Sequence, residues 1–276
     1  MNVTDIAAAD LADSVRTVRE TEPLVQHVTN TVTIDDVANL TLHWGGLPVM
    51  ADSFGDAGEM TAAARALVIN IGQVPDDRVE AMHEAGRKAN ERDVPVVLDP
   101  VGLGSTPSRE AVTESLLEAV DFAAIKGNYG EISALAGVEA NVEGVESIGD
   151  YEEIEETARS VADSTGAVVV ASGVEDVVAD ADGAVRITDG HEMLGEIVGT
   201  GCMLGATVGT FAGALEDPRE AAVHGTLAFG LAGERAAEMP HEGPASFRTN
   251  FHDAVAGFDP DEAAQLDLAG RIERVD

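Results

Sequence analysis

The chain is poor in positive charge. Lysine occurs twice in 276 residues, at Lys88 and Lys126, and 16 basic side chains face 51 acidic ones for a net charge of −35. A surface that negative repels nucleic acid and anionic lipid, so both are excluded as partners. The acid is spread along the chain rather than gathered in a block, which argues against a disordered tail. It fits a protein adapted to a high-salt cytoplasm, where counterions screen the self-repulsion. Against that background each basic residue is more informative than usual. Cysteine is scarcer still. Cys202 stands alone, so no disulfide can form within the chain, and one thiol makes no zinc site by itself. No apolar run approaches the roughly 18 residues that a membrane span needs. Met1 to Thr21 is acidic and mixed, without the basic start and apolar centre of a secretory signal, and the expectation is a cytoplasmic protein. The seven histidines form no HxH or HExxH spacing, and His27, near a strand tip, reads as structural. There is no G-x-S-x-G elbow, no Walker A loop and no dinucleotide fingerprint.

What is present is an alternation. Hydrophobic residues make up 45% of the chain, ample for a core. Residues 1–22 read as a short amphipathic helix around Leu11 and Val15, 23–28 as a strand, and 34–44 as a helix stopped by Gly45-Gly46. Residues 47–50 form a brief strand. Strands at 66–71, 94–98, 122–125 and 167–171 then alternate with helices at 76–92, 108–120, 129–136 and 151–164, with a loop at 141–149. Residues 174–187 read as a β-hairpin turning at Asp180-Ala181-Asp182-Gly183. Helices follow at 202–215, 218–238 and 246–257, and 261–276 reads as a polar terminal helix. This order predicts an α/β fold: one domain over 1–276, a mainly parallel central sheet with helices on both faces, and peripheral helical segments at 1–22 and 260–276. Ligands bind outside the carboxyl ends of such strands. The residues found there are Asn30, Asp52, Asp99, Lys126-Gly127-Asn128 and Ser172-Gly173.

The chain is organised around Val198-Gly199-Thr200-Gly201-Cys202, a small-residue loop running into an apolar helix. Two glycines flanking Thr200 let consecutive N–H groups point one way, and the helix adds its positive end, which together make an anion pocket. The plain alternative is a tight turn before a core helix. Cys202, at the pocket's mouth, is either a small buried hydrophobe or a thiolate stabilised by the helix terminus. Asp99-Pro100-Val101-Gly102 places a carboxylate at a strand tip, either capping a loop or serving a metal bound to phosphate oxygens. In Lys126-Gly127-Asn128-Tyr129-Gly130-Glu131, Asn128 can cap the next helix and Glu131 lies on its first turn. Glu131 is thus a capping partner or a group that orders water around Mg²⁺, and Lys126 points to phosphate contact.

The order of Gln26-His27-Val28-Thr29-Asn30, Leu47-Pro48-Val49-Met50-Ala51, Val97-Leu98-Asp99-Pro100-Val101-Gly102, Ile125-Lys126-Gly127-Asn128-Tyr129-Gly130-Glu131 and Gly199-Thr200-Gly201-Cys202 closely resembles the hydroxyethylthiazole kinase family, from about Pro23 to Phe247. The resemblance implies a ribokinase-like fold and a kinase that transfers phosphate from ATP, with Mg²⁺, to the hydroxyl of 4-methyl-5-(2-hydroxyethyl)thiazole in thiamine biosynthesis or salvage. It also implies a homotrimer with active sites between subunits. By motif, Met50, Gly199 and Asn30 would contact the thiazole alcohol. Lys126, Ser172 and Asn128 would contact ATP, and Asp99 and Glu131 would serve the metal. Cys202, with Gly199 and Gly201, would sit at the reacting centre, where other ribokinase-like enzymes carry Asp. Lys126 stands where the family more often has Arg, and Ser172 where Thr is common. The rival expectations are a pyridoxal- or hydroxymethylpyrimidine-type kinase, against which Cys202 argues, and a non-catalytic nucleotide-binding protein of the same fold, against which Asp99, Glu131 and Cys202 argue.

Overall fold

The structure is a computed structural model that describes residues 7–138, 142–143, 146–147 and 153–275. Its elements run α1 (Ala8–Thr21), β1 (Leu24–Val28), α2 (Ile34–Trp44), β2 (Leu47–Val49), α3 (Asp56–Thr61), β3 (Ala66–Asn70), α4 (Asp76–Asn90), β4 (Val96–Asp99), α5 (Pro107–Ala119), β5 (Ala124–Asn128) and α6 (Tyr129–Leu135). After these come β6 (Val142–Glu143), β7 (Glu146–Ser147), α7 (Ile154–Thr165), β8 (Val168–Ser172), β9 (Asp176–Asp180), β10 (Gly183–Ile187), α8 (Thr200–Ala212), α9 (Pro218–Glu238), α10 (Pro244–Ala256), α11 (Pro260–Ala263) and β11 (Ile272–Val275).

Nine strands form one sheet in the order β11-β10-β9-β8-β5-β4-β3-β1-β2. The six strands from β8 to β2 are parallel, and β9, β10 and β11 continue the sheet antiparallel. The parallel strands are apolar on both faces because helices cover both. Alternate residues divide between two cores: Val25, Val68, Val97 and Val170 join the side of α1, α8, α9 and α10, and Leu67, Ile69, Leu98 and Val169 join the side of α4 and α7.

Helix α8 lies close on the sheet. A Cβ at Gly209 would sit 2.3 Å from Val68, so only glycine permits that approach. Trp44, fully buried, donates its indole N–H to Thr207 Oγ1 at 2.9 Å and meets Phe211 edge-on, 5.6 Å between ring centres. These contacts tie α2 to α8 and set where the N-terminus of α8 falls.

Three expectations are corrected. Residues 261–275 do not form one continuous helix. After the single turn of α11, β11 pairs antiparallel with β10, Ala184 opposite Val275 and Ile187 opposite Ile272. The segment thus closes one edge of the sheet rather than lying outside it. Nor is α1 peripheral, because Leu11, Val15 and Val18 are fully buried in the core. Within 141–149, expected as a loop, β6 and β7 pair antiparallel, and the other residues of that stretch lie outside the described ones, as do 1–6, Tyr151, Glu152 and Asp276 of the segments expected to be helical.

Candidate active site

The carboxyl ends of the parallel strands place the candidate residues side by side. In sheet order they are Ser172 (end of β8), Asn128 (β5), Asp99 (β4), Asn70 (β3), Asn30 (just after β1) and Met50 (just after β2). Register makes two of these neighbours direct partners: Asn128 faces Ser172, and Asn70 faces Asp99. Above the middle of the row stands the N-terminus of α8, whose first turn carries Cys202.

Gly199 precedes that helix with φ +98°, the left-handed region open to glycine. A Cβ there would come within 2.5 Å of Thr33 Cγ2. A Cβ at Gly201 would lie 3.0 Å from Lys126 Nζ, which puts the ammonium against the start of α8. A cation is disfavoured at the positive end of a helix. Asp99 and Glu131 offset that cost from below, and the N–H groups at the start of α8 leave a place suited to an anion above.

Lys126 is 3% exposed and donates to Asp99 Oδ1 at 3.2 Å, with Asp99 1% exposed. Burial alone would lower the ammonium's pKa, but Asp99 and Glu131 outweigh it and raise it, keeping the charge on. Burial pushes Asp99 up, against the pull of Lys126 and the hydrogen bond from Asn70. Burial raises Glu131 as well, with Lys126 opposing and Asp99 reinforcing. Two buried carboxylates thus share one buried ammonium.

Glu131 also closes a capping box. Its Oε2 accepts from Asn128 N at 2.7 Å, and Asn128 Oδ1 accepts from Glu131 N at 2.8 Å. Its Oε1 accepts from Gly102 N at 2.7 Å, which ties the loop after β4 to α6. The capping role seen from the motif is therefore real, and Glu131 remains within the charged cluster.

Cys202 Sγ lies 3.3 Å from Asn70 Nδ2 and 3.6 Å from Asn30 Nδ2. Of the two readings of Cys202, its surroundings favour the thiol: burial pushes the thiol pKa up and Asp99 pushes it further, against Lys126 and the hydrogen bonds of Thr33 and Asn70. The position at a helix terminus was legible in the motif. The carboxylate that opposes it, 103 residues earlier in sequence, was not.

The structure thus brings Asn30, Asp99, Lys126, Gly199, Gly201, Glu131 and Cys202 into one cluster. Met50 and Ser172 flank it. Ser172 Oγ donates to Gly127 O at 3.3 Å, and no hydrogen bond joins either residue to the cluster among the described residues. Sequence reasoning missed Asn70, Thr33 and Arg109. Arg109, on α5, donates to Ser105 Oγ and to Gly72 O, each at 3.0 Å, and so joins the loops after β3 and β4. The signal for Asn70 was an apolar strand ending in a carboxamide, the same pattern that marks Asp99.

Among the described residues, no group of three or more His, Cys, Asp or Glu side chains is arranged to hold a metal ion. No helix among them is long and apolar enough to cross a membrane. The oxygens of Asp99 and Glu131 already accept protein donors. That suits an ion such as Mg²⁺, which binds mostly to phosphate and water oxygens, and does not suit a protein-built metal cage.

Comparison with known proteins identifies what the arrangement belongs to. A model of the hydroxyethylthiazole kinase family matches residues 15–261. A hydroxyethylthiazole kinase of Natronomonas pharaonis is 53% identical over 98% of this chain and 97% of its own length. A solved hydroxyethylthiazole kinase structure from Pyrococcus horikoshii OT3 superposes with a TM-score of 0.83 at 33% identity, covering 96% of this chain and 99% of that one. The ribokinase-like fold is shared more widely: a pyridoxal kinase structure from Staphylococcus aureus aligns over 76% of this chain and 87% of its own with a TM-score of 0.54 at 13% identity. With the family match running from α1 to the start of α11 and near-complete coverage of its relatives, this chain belongs to the hydroxyethylthiazole kinase family.

Proposed function

We propose that the protein transfers the γ-phosphoryl group of ATP to the hydroxyl of 4-methyl-5-(2-hydroxyethyl)thiazole, in thiamine biosynthesis or salvage. The observation that carries this reading is the row of polar strand ends beneath the N-terminus of α8. It offers a nucleotide side at Lys126, Asn128 and Ser172, an alcohol side at Asn30 and Met50, and Gly199, Gly201 and Cys202 where the two meet.

Phosphoryl transfer needs alignment and neutralisation of charge on the transferring group more than it needs covalent help. The first N–H groups of α8 and the Lys126 ammonium supply positive charge at one point. Asn30 and Gly199 would hold the alcohol, and Cys202, a neutral thiol near neutral pH, would orient the hydroxyl rather than strip its proton. The buried cluster carries two carboxylates against one ammonium, an excess of negative charge that favours a divalent cation. Asp99 and Glu131 would hold Mg²⁺ near the triphosphate, and the ion would supply Lewis-acid neutralisation of the phosphates.

Self-association as a trimer with sites between subunits has support at the alcohol side. There β2 is a three-residue edge strand, and Leu47, Leu42, Phe54 and Val32 expose 44%, 52%, 66% and 66% of their surfaces. Light scattering would then give about three times 28.5 kDa. The acidic surface supports a salt-rich cytoplasm as the working environment.

The test is the initial rate of ADP formation in molar KCl with the thiazole alcohol, pyridoxal, hydroxymethylpyrimidine or no acceptor. The reading predicts a high kcat/KM for the thiazole alcohol alone. Preference for either other alcohol would overturn the substrate assignment, and no turnover with any would overturn the kinase reading.

A further inference from the structure

Asn70 bridges Asn30 on the alcohol side and Asp99 and Cys202 at the centre of the site. It is 2% exposed, and nothing in the proposed chemistry requires an amide at the end of β3. Its orientation is fixed by chemistry. Gly72 N can only donate, and it lies 2.9 Å from Asn70 Oδ1, so that atom is the oxygen and the other the nitrogen. The same logic fixes Asn30, whose Oδ1 accepts from the backbone N–H groups of Val32 and Thr33 at 2.9 and 3.1 Å. Its Nδ2 is thereby aimed at Asn70 Oδ1, 3.0 Å away. With both oxygen contacts assigned, Asn70 Nδ2 points into the cluster. It donates to Asp99 Oδ2 at 2.6 Å and lies 3.3 Å from Cys202 Sγ.

The result is a directed chain. Asn30 donates to Asn70, Asn70 donates to Asp99 and to the sulfur of Cys202, and Lys126 donates to the other oxygen of Asp99 at 3.2 Å. Arg109 steadies the far end by holding Gly72 O at 3.0 Å, one residue whose N–H sets the Asn70 amide. We infer that Asn70 is a positioning residue for phosphoryl transfer: it fixes the carboxylate plane of Asp99 against Lys126 and the sulfur of Cys202 against Asn30, so that the phosphate side and the alcohol side keep one alignment. This rests on the kinase reading above, since it names what holds that site in register. Buried amides with every donor and acceptor used are specific in this way because any rotation leaves several polar groups unpaired.

The inference predicts a particular kinetic pattern. Asn70→Leu keeps the branched outline and removes the hydrogen bonds. Asn70→Asp keeps the shape and replaces the donor facing Asp99 with an acceptor. Both should lower kcat by about 10²-fold, the scale of loss from a misplacement of about 1 Å, while KM for ATP stays within about threefold. Because Asn70 acts partly through Cys202, Asn70→Leu/Cys202→Ala should be little slower than the worse single variant, whereas independent sites would multiply their losses. Wild-type kcat in both Asn70 variants, losses confined to KM, or multiplicative losses in the double variant would each overturn the inference. A readout without turnover separates this from the substrate assignment. In ligand-free protein, the side-chain amide resonances that vanish in Asn70→Leu should shift in Cys202→Ala. If they do not move, Asn70 does not hold the sulfur. If they move while the wild type ignores the thiazole alcohol, only the functional reading fails.

Discussion

Lys126 and Asp99 form an ion pair at 3.2 Å in which neither side chain is more than 3% exposed. Such a pair is poor evidence of stability, since desolvation offsets most of the attraction, but removing one member strands the other. Lys126→Met should therefore destabilise the protein by about 3–5 kcal/mol. Adding Asp99→Asn should recover part of that loss, because Glu131 alone then remains unpaired. Denaturant melts of the two single variants and the double variant check this. Simple addition of the two losses would mean the pair is not coupled. Lys126→Arg should keep activity, with a lower KM for ATP, because a guanidinium can engage phosphate with two donors.

The loop before α8 yields the second prediction. Cys202→Ala should cost about 10–10³-fold in kcat, within or below the usual range for a lost proton-transfer group, since the raised thiol pKa leaves positioning as its role. Cys202→Asp should retain more activity than Cys202→Ala. Gly201→Val should do worse than either, because its Cβ would stand 3.0 Å from Lys126 Nζ and its methyl groups would fill the place meant for phosphate. Steady-state kinetics on variants with wild-type circular dichroism decide it. An active Gly201→Val would mean that phosphate does not bind there.

Asp189 lies outside this chemistry and gives a pH signature. Burial, reinforced by Asp176 and Glu234 and opposed by Arg271, raises its pKa to about 8. Gly230 of α9 leaves the room, since a Cβ there would fall 2.1 Å from Asp189 Oδ1. An unfolded Asp loses its proton near pH 3.9, so between about pH 4 and 8 the folded state holds a proton that the unfolded state has released. Stability from this group is present at low pH and falls as pH rises through that window, by about 1.4 kcal/mol per unit. Asp189→Asn mimics the protonated form. Its advantage over wild type should grow from pH 5 to pH 8 and then level off. A difference independent of pH would refute the assignment.

Net charge sets the fourth expectation. With −35 over 276 residues, like charges repel across the surface until salt screens them; the Debye length falls from about 10 Å at 0.1 M to about 3 Å at 1 M. Tm should climb steeply from dilute buffer to molar KCl. A Tm indifferent to salt would remove the halophilic reading.

Much of this architecture was legible in the chain because buried parallel strands are apolar runs and their polar ends are conspicuous. Asp99 and Lys126 could be picked out by that contrast alone. The edge strand β11 could not. Ile-Glu-Arg-Val needs only one partner strand, so it carries too little apolar weight to stand out from the polar stretch around it. Asn70 carried the same signal as Asp99, a polar residue ending a fully buried strand, but an uncharged amide there stands out from its apolar neighbours less than a carboxylate does. The direction of the Cys202 pKa was out of reach, because it depends on Asp99 reaching the same point from another strand.

The central claim is transfer of phosphate to the thiazole alcohol, and mass spectrometry of the products tests it most directly. Incubated with ATP, Mg²⁺ and the alcohol in molar KCl, the wild type should convert the alcohol to its phosphate monoester, with one ADP formed per ester. ADP accumulating while the alcohol stays unmodified would contradict the account.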